Sequence, residues 1–438
     1  MADGNAVVLE PKIKPKPISY KLVPDDGYNE EFVRGLGFLP FVWYNGVQID
    51  YNDITNLQLY TSDNIPTLNI VFKDTIGFMK STGMPLDDTI VSLFINSRSK
   101  NLKSIHLDFK ITSFSEANSI YTIVGVVDVD DLYVKTFKSY AKKTSFDVYR
   151  DICKNFGLGY TSNFTNTNDS MTWINPGNNL ITFMNDTILN SWRSKDTFLF
   201  AFMDFHYYWN FIDIEKELKR DIKEELGIVK SGVNELFGKE VTEETTKLLV
   251  ANDQSFQNSN IYFDSYQLVN NSTETSIKVG YLTQLSYYDE LQKNFLVFKL
   301  DSLQGDKATS YSLRGKQNDK EFFNKNINIV YDGTFDLDNV HRDFKYAPYQ
   351  NRINYSEIEK VKVIISMKTP NFNLRRFQKI YALFSNNSEQ VTRPLLNPRL
   401  TGEWLITDII YSFVGGQFRQ KVELSHRELK KADNEETT

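Results

Sequence analysis

Four histidines, one cysteine and scattered carboxylates are the residues of this chain suited to chemistry. The histidines stand at 106, 206, 341 and 426, without the short spacings by which one segment grips a metal ion. His206 follows Asp204 in Asp204-Phe205-His206-Tyr207-Tyr208-Trp209-Asn210. An acid–base or metal pair there is outweighed by a polar position in an aromatic strand. Cys153 falls on the apolar face of a predicted helix, where a thiol packs as a small hydrophobe. A single cysteine also excludes an intramolecular disulfide and a cysteine zinc cage. Asp128, Asp130 and Asp131 follow a strand but lack the glycine and distal glutamate of an EF-hand loop, so they read as solvated. Gly35-Leu36-Gly37 and Gly157-Leu158-Gly159 complete no phosphate-binding motif. No catalytic, metal-ligating or cofactor-binding residue is assigned, no cofactor is expected, and the chain reads as a protein without catalysis.

The 438 residues suggest roughly three domain-sized units. With 50 basic and 56 acidic residues the net charge is −6, which excludes a global basic field for wrapping nucleic acid. Met1 to Tyr20 is charged and punctuated by proline, unlike a signal peptide, and no run of about 18 apolar residues occurs. Synthesis in a cytoplasm without membrane insertion is expected. The 32 Phe and 24 Tyr favour broad β surfaces and interfaces.

Periodicity then divides the chain. Residues 1–35, with Pro11, Pro15 and Pro17 among lysines, read as an extended arm suited to crossing a neighbouring subunit. Residues 36–130 alternate with period two, most clearly where Ile105, Leu107, Phe109 and Ile111 interleave with Ser104, His106, Asp108 and Lys110. After a polar turn at Ser115-Glu116-Ala117-Asn118 the alternation continues through Val129, giving a long hairpin in a first β-barrel or sandwich. Residues 131–215 read as an α+β domain. Its first helix starts at Thr144 or Ser145 and ends at Gly157, with Phe146, Tyr149, Ile152, Cys153 and Phe156 on one face; its second spans Leu180 to Arg193. Residues 216–260 form a charged insertion, opened by an amphipathic helix carrying Ile214, Leu218, Ile222 and Leu226. A mixed β and loop region covers 261–350. A second β-barrel covers 351–427, completed by strands from 261–300 and ending in a hairpin turned by Gly415-Gly416, and 428–438 is a tail.

Four stretches carry a resemblance: Lys138-Ser139-Tyr140-Ala141-Lys142-Lys143-Thr144-Ser145-Phe146-Asp147, Asn168 to Pro176, Thr197 to Asp213, and Thr401-Gly402-Glu403-Trp404-Leu405-Ile406-Thr407. In order and spacing they resemble the tail-hub proteins of tailed phages, above all the baseplate hub of contractile-tailed phages. The resemblance implies a mainly β fold with an α+β insertion, and two tube-protein-like antiparallel β-barrels in one chain. It also implies a homotrimeric ring joining a six-fold tail tube to a three-fold central spike. The implied partners are further copies of the chain, the tail tube protein, the central spike protein and neighbouring baseplate proteins. DNA would pass transiently, and the location would be the virion tail baseplate. The 215–255 segment has no place in that pattern. A tail-tip glycan or peptidoglycan hydrolase, or a glycan-binding β module, is the competing reading. Asp108, Lys110, Arg419, Lys421 and Glu423, at outward positions of long strands, are candidates for lining a channel or meeting a partner. Trp404 and Trp173 are either interface anchors or core residues, with the core favoured.

Overall fold

The structure, a computed structural model, describes residues 6–15, 39–75, 77–82, 85, 89–96, 104–129, 131–220, 247–250, 262–270, 284–289, 293–299, 310–311, 328–333, 339–344, 346–367, 370–386, 395–397, 399–427 and 429–430. The fold is mainly β with large antiparallel sheets. β1 (Ala6–Leu9) belongs to the arm and pairs antiparallel with β10 (Gly159–Ser162) of the same chain. Lys12 and Ile13 then donate to the Gly157 carbonyl, so residues 6–13 cover an edge of the chain's own α+β unit; residues 16–35 of the expected arm lie outside the described ones.

The first β unit contains β2 (Pro40–Tyr44), β3 (Val47–Ile49), β4 (Ile54–Ser62), β5 (Ile65–Lys73), β6 (Ile90–Ile95), β7 (Ile105–Ala117) and β8 (Ile120–Val127). Their order is β3-β2-β6-β7-β8-β5-β4, antiparallel throughout. Alternation drives it, because Leu57, Leu59, Leu68, Ile70, Leu107 and Phe109 all turn to the core with no exposed surface. Asn118 and Ser119 both adopt positive φ (54° and 63°), the primed turn that matches strand twist, so β7 runs on past the turn expected at 115–118. Among the described residues β3 and β4 do not pair with each other, so the unit is open on that side.

The middle unit contains β9 (Lys135–Lys143), α1 (Ser145–Phe156), β10, β11 (Met171–Asn179), α2 (Leu180–Asn190), β12 (Leu199–Met203), β13 (Tyr208–Asp213) and α3 (Ile214–Lys219). Thr144 caps α1 by accepting from the Asp147 N–H, and Gly157 ends it at φ 68°. The fully buried Asp169 carboxylate accepts from the Ser145 N–H (2.9 Å), the Ser145 hydroxyl (2.5 Å) and the Trp192 N–H (2.9 Å). Four strands form a sheet in the order β1-β10-β13-β12, while β9 and β11 make a separate ribbon.

The last unit is a closed ring of hydrogen-bonded strands: β14 (Lys247–Val250), β15 (Tyr262–Asn270), β20 (Val361–Met367), β25 (Gln417–His426), β24 (Gly402–Val414) and β21 (Lys379–Leu383), which returns to β14. β14 runs parallel to both its neighbours, a departure from the antiparallel barrel expected. It also draws part of the charged 216–260 segment into the ring; of the helix expected from Ile214 to Leu226, α3 accounts for Ile214–Lys219, and residues 221–246 lie outside the described ones. β16 (Gln284–Asp289) and β17 (Asn294–Lys299) stay out of the ring and form a small sheet with β19 (Asn328–Gly333). Short pairings join β18 (Ser310–Tyr311) to β26 (Leu429–Lys430) and β22 (Ser385–Asn386) to β23 (Leu395–Leu396). α4 (Ala347–Ile358) lies across the unit boundary expected at 350/351.

β24 links the β units. One edge is filled by β25; the other pairs with β21 at Gly402–Leu405 and with β4 at Tyr411–Val414. Both units thus share one 13-stranded sheet. A single apolar cluster, from Val42 to Leu424, runs through all three units.

Candidate functional site

The α+β unit is seated across both β units, and the turn between β12 and β13 makes the seat. Asp204 shapes it by accepting from the N–H groups of His206 (2.8 Å) and Tyr208 (3.0 Å). Its Oδ1 therefore serves the backbone of the turn. Tyr207 is held at φ 63°, a conformation rare for a bulky residue. Its hydroxyl accepts from the Asp108 N–H at 2.9 Å, reaching β7, while Phe205 meets the Tyr411 ring of β24 at 5.4 Å. The Met203 N–H donates to the Asn64 carbonyl at 2.7 Å, fixing the β4–β5 turn as well.

Two further seams complete the junction. The Arg376 guanidinium lies 5.7, 5.3 and 5.0 Å from the rings of Phe200, Phe202 and Phe377, and its Nε donates to the Thr407 carbonyl at 2.8 Å. On α4, the Gln350 amide donates to the carbonyls of Ser194 (3.3 Å), Lys195 (3.0 Å) and Thr197 (2.6 Å). The Asn351 amide donates to those of Ile188 (3.3 Å), Leu189 (3.2 Å) and Ser191 (3.1 Å), and accepts from the Leu199 N–H at 3.3 Å. These buried amides satisfy carbonyls at the C-terminal end of α2 and in the turn after it. At β21, Lys379 pairs with Glu403 (2.7 Å) and donates to the Leu218 and Arg220 carbonyls, while Arg427 pairs with Glu215. Buried charges are tolerated there because each has a partner.

The candidates from the sequence fall on two units. Asp108, expected to face outward, is 5% exposed, because the α+β unit covers β7 at that point. Lys110 on β7, and Arg419 and Lys421 on β25, are exposed; Glu423 shares the β25 face but is half-buried. Glu423 pairs with Lys362 (3.0 Å) and accepts from the Thr407 hydroxyl (2.9 Å). Trp404 is 3% exposed and donates to the Leu400 carbonyl at 2.7 Å, which puts it in the core; Trp173, also 3% exposed, donates to the Lys143 carbonyl at 2.9 Å. The Cys153 thiol is buried and pushed well up by burial, so it is not poised as a nucleophile. Among the described residues no three His, Cys, Asp or Glu side chains cluster to hold a metal ion.

Sequence reasoning missed the Arg376 seam and the Gln350–Asn351 clasp. The adjacent Arg375-Arg376 among aromatics was a signal for the first; two amides in a polar run gave none for the second. It also missed the outer face of the β9–β11 ribbon, where Phe137 is 87% and Ile174 63% exposed. Phe137 stands opposite Pro176 and Ser139 opposite Ile174, so all four share that face.

No protein-family model matches the chain, and no curated protein matches it. Among solved structures it is similar to the 43 kDa tail protein of prophage MuSo2 from Shewanella oneidensis, with 9% identity and a TM-score of 0.49 over 90% of this chain and 99% of that one. A tail protein from Neisseria meningitidis MC58 follows, with 8% identity and a TM-score of 0.48 over 89% and 96%. An E. coli component of the type VI secretion system has 10% identity and a TM-score of 0.40 over 87% and 76%. These neighbours are tail and secretion-machine proteins.

Proposed function

We propose that this chain is the non-enzymatic structural hub of a phage tail baseplate. Three copies form a ring that joins the six-fold tail tube to the three-fold central spike and leaves an axial channel for DNA. The observation that carries this reading is the double pairing of β24. It already fuses two β units edge to edge within one chain, so three chains closing head to tail would place six β units around an axis. β3, at one end of the shared sheet, then has a strand to meet in the next copy, which removes an open edge. The partners are further copies of the chain, the tail tube protein, the central spike protein and neighbouring baseplate proteins. Lys110, Arg419 and Lys421, with Glu423 beside them on β25, are the candidates for lining the channel or meeting a partner. The protein would be made in the host cytoplasm and reside in the virion tail.

Light scattering coupled to size exclusion, followed by particle imaging, tests this. A trimer with a central opening, alone or with the tail tube protein added, is expected. A chain that stays monomeric under both conditions sinks the proposal, as would a cleared band on a peptidoglycan zymogram.

A further inference from the structure

The β9–β11 ribbon is tied to the fold by one face and one edge. On its inner face the Tyr140 ring stacks against Phe183 at 5.8 Å, and Trp173 meets the His341 ring at 6.3 Å. Along the β11 edge the Thr172 N–H donates to the Asn339 carbonyl at 2.9 Å, so the chain itself meets that side. The β9 edge differs. Among the described residues β9 pairs with β11 alone, and six of its nine residues are exposed, Ser139 and Ala141 included. Exposed residues with such short side chains leave their backbone open to solvent, so this edge offers N–H and C=O groups to an added strand.

The outer face of the ribbon is apolar, with Phe137, Ile174 and Pro176 all exposed on it. The Phe137 ring is held in place there. It rests on Gly177, where φ is 104° and a Cβ would stand 2.8 Å from the ring's Cζ. Glycine alone allows both that backbone and that contact. A large aromatic ring seated on backbone yet turned to solvent is the kind of side chain around which interfaces are built.

Charge adds a sign. β9 carries Lys135, Lys138, Lys142 and Lys143 and no acidic residue, and β11 carries no charge at all, in a chain whose net charge is −6. Lys143 is taken by Asp151, and the Lys138 ammonium lies 5.1 Å from the centre of the Tyr140 ring. Among the described residues Lys135, Lys138 and Lys142, all exposed, pair with no carboxylate. Successive strand positions point to opposite faces, so Phe137 and Lys138 present an apolar and a basic surface on the two sides of one edge. A strand laid along β9 with apolar and acidic residues in alternation matches both.

We propose that β9 is a docking edge for an acidic β-strand of another protein, which pairs with its backbone, lays apolar side chains beside Phe137 and Ile174, and sets carboxylates against Lys135 and Lys138. The open backbone decides the class of occupant. Lipid headgroups or nucleic-acid phosphates would meet the lysines but would leave the edge without a strand. Charge decides against a second copy, because β1, β3 and β12, which end the two larger sheets, carry no carboxylate. The inference concerns a single chain and does not depend on ring formation.

Fluorescence anisotropy on the full chain tests it, using short labelled peptides that alternate Glu with Val, Lys with Val, or Glu with Val around a central Pro. The Glu-Val peptide should bind saturably and at least about tenfold more tightly than either of the others, since proline removes a ladder donor. Lys135→Glu with Lys138→Glu should reverse the charge preference. Phe137→Ser with Ile174→Ser should weaken Glu-Val binding at least about tenfold. Both double variants alter exposed side chains, so their circular dichroism should match the wild type. Equal binding of the Glu-Val and Lys-Val peptides, or of the proline-bearing one, overturns the inference. Absence of saturable peptide binding also overturns it, whether duplex DNA, phosphatidylglycerol vesicles or a second copy of the chain is found to bind the ribbon instead.

Discussion

In the first β unit every strand from β2 to β8 is drawn from residues 40–127, and three of its pairings, β2–β3, β4–β5 and β7–β8, turn on two residues. The closed ring instead gathers strands from Lys247 to His426, and just one of its pairings, β24–β25, is a tight hairpin. Local pairing costs little loop-closure entropy, whereas each distant pairing in the ring must be won by contacts made late. The first unit is accordingly open and extended, and the second is closed around strands that no nearby segment announces. What unites them is a common apolar cluster and the α+β unit seated across both.

The sharpest way to break the comparison is to cut a cavity in each unit. Leu107 in β7 and Leu424 in β25 have no exposed surface, and replacement of either by Ala should cost about 2–5 kcal/mol. Because one cluster runs through both, each variant should unfold in a single shifted transition followed by circular dichroism. Two separated transitions would mean independent domains. Asn351→Leu comes next. It removes the amide that serves three carbonyls and the Leu199 N–H, and should cost about 3 kcal/mol. Chemical denaturation would read this, and a neutral result would show that the clasp is incidental. Smaller again are the turns. Asn118→Val and Gly416→Val, at φ 54° and 78°, should each cost about 1–2 kcal/mol, equal in the two units because both hairpins are local.

Smallest is a pH effect. Burial holds the His341 imidazole below its usual pKa, against the opposing influence of Asp169, the Asn190 carbonyl and Asp343. A depressed folded pKa gives stability that is present above about 6.5 and is lost as pH falls through the folded value. Asp213, Asp343 and Asp408, raised by burial, act in the opposite sense, so the quantity to read is the difference between wild type and H341Q. Between about pH 7 and pH 5 the wild type should lose more thermal stability than H341Q. Parallel curves would show that His341 does not titrate there.

The same contrast explains what was legible in the sequence. Strict alternation marked β7, β8, β20, β24 and β25, and capping residues marked α1 from Thr144 to Gly157. β14 was invisible: Lys247-Leu248-Leu249-Val250 is a short apolar run inside a charged segment, and its strand identity comes from partners at Tyr262–Phe263 and Tyr381–Leu383. α4 was hidden in the same way, because its polar surface is spent on carbonyls from another unit. Among the candidate site residues, alternation alone put Asp108 outside. It could not register that a second layer, led by Tyr207, covers that face.

The double pairing of β24 also has a consequence for synthesis. β14 leaves the ribosome well before β21, on the order of ten seconds earlier at ~5–20 residues per second. Neither ring closure nor the link to β4 can form until Gly402–Val414 has emerged. A chain interrupted before that strand lacks both at once, and should expose the same unpaired edges at β4 and β21. Truncated products are thus expected to be lost to proteolysis, so that full-length chains alone accumulate, with one strand serving as the checkpoint.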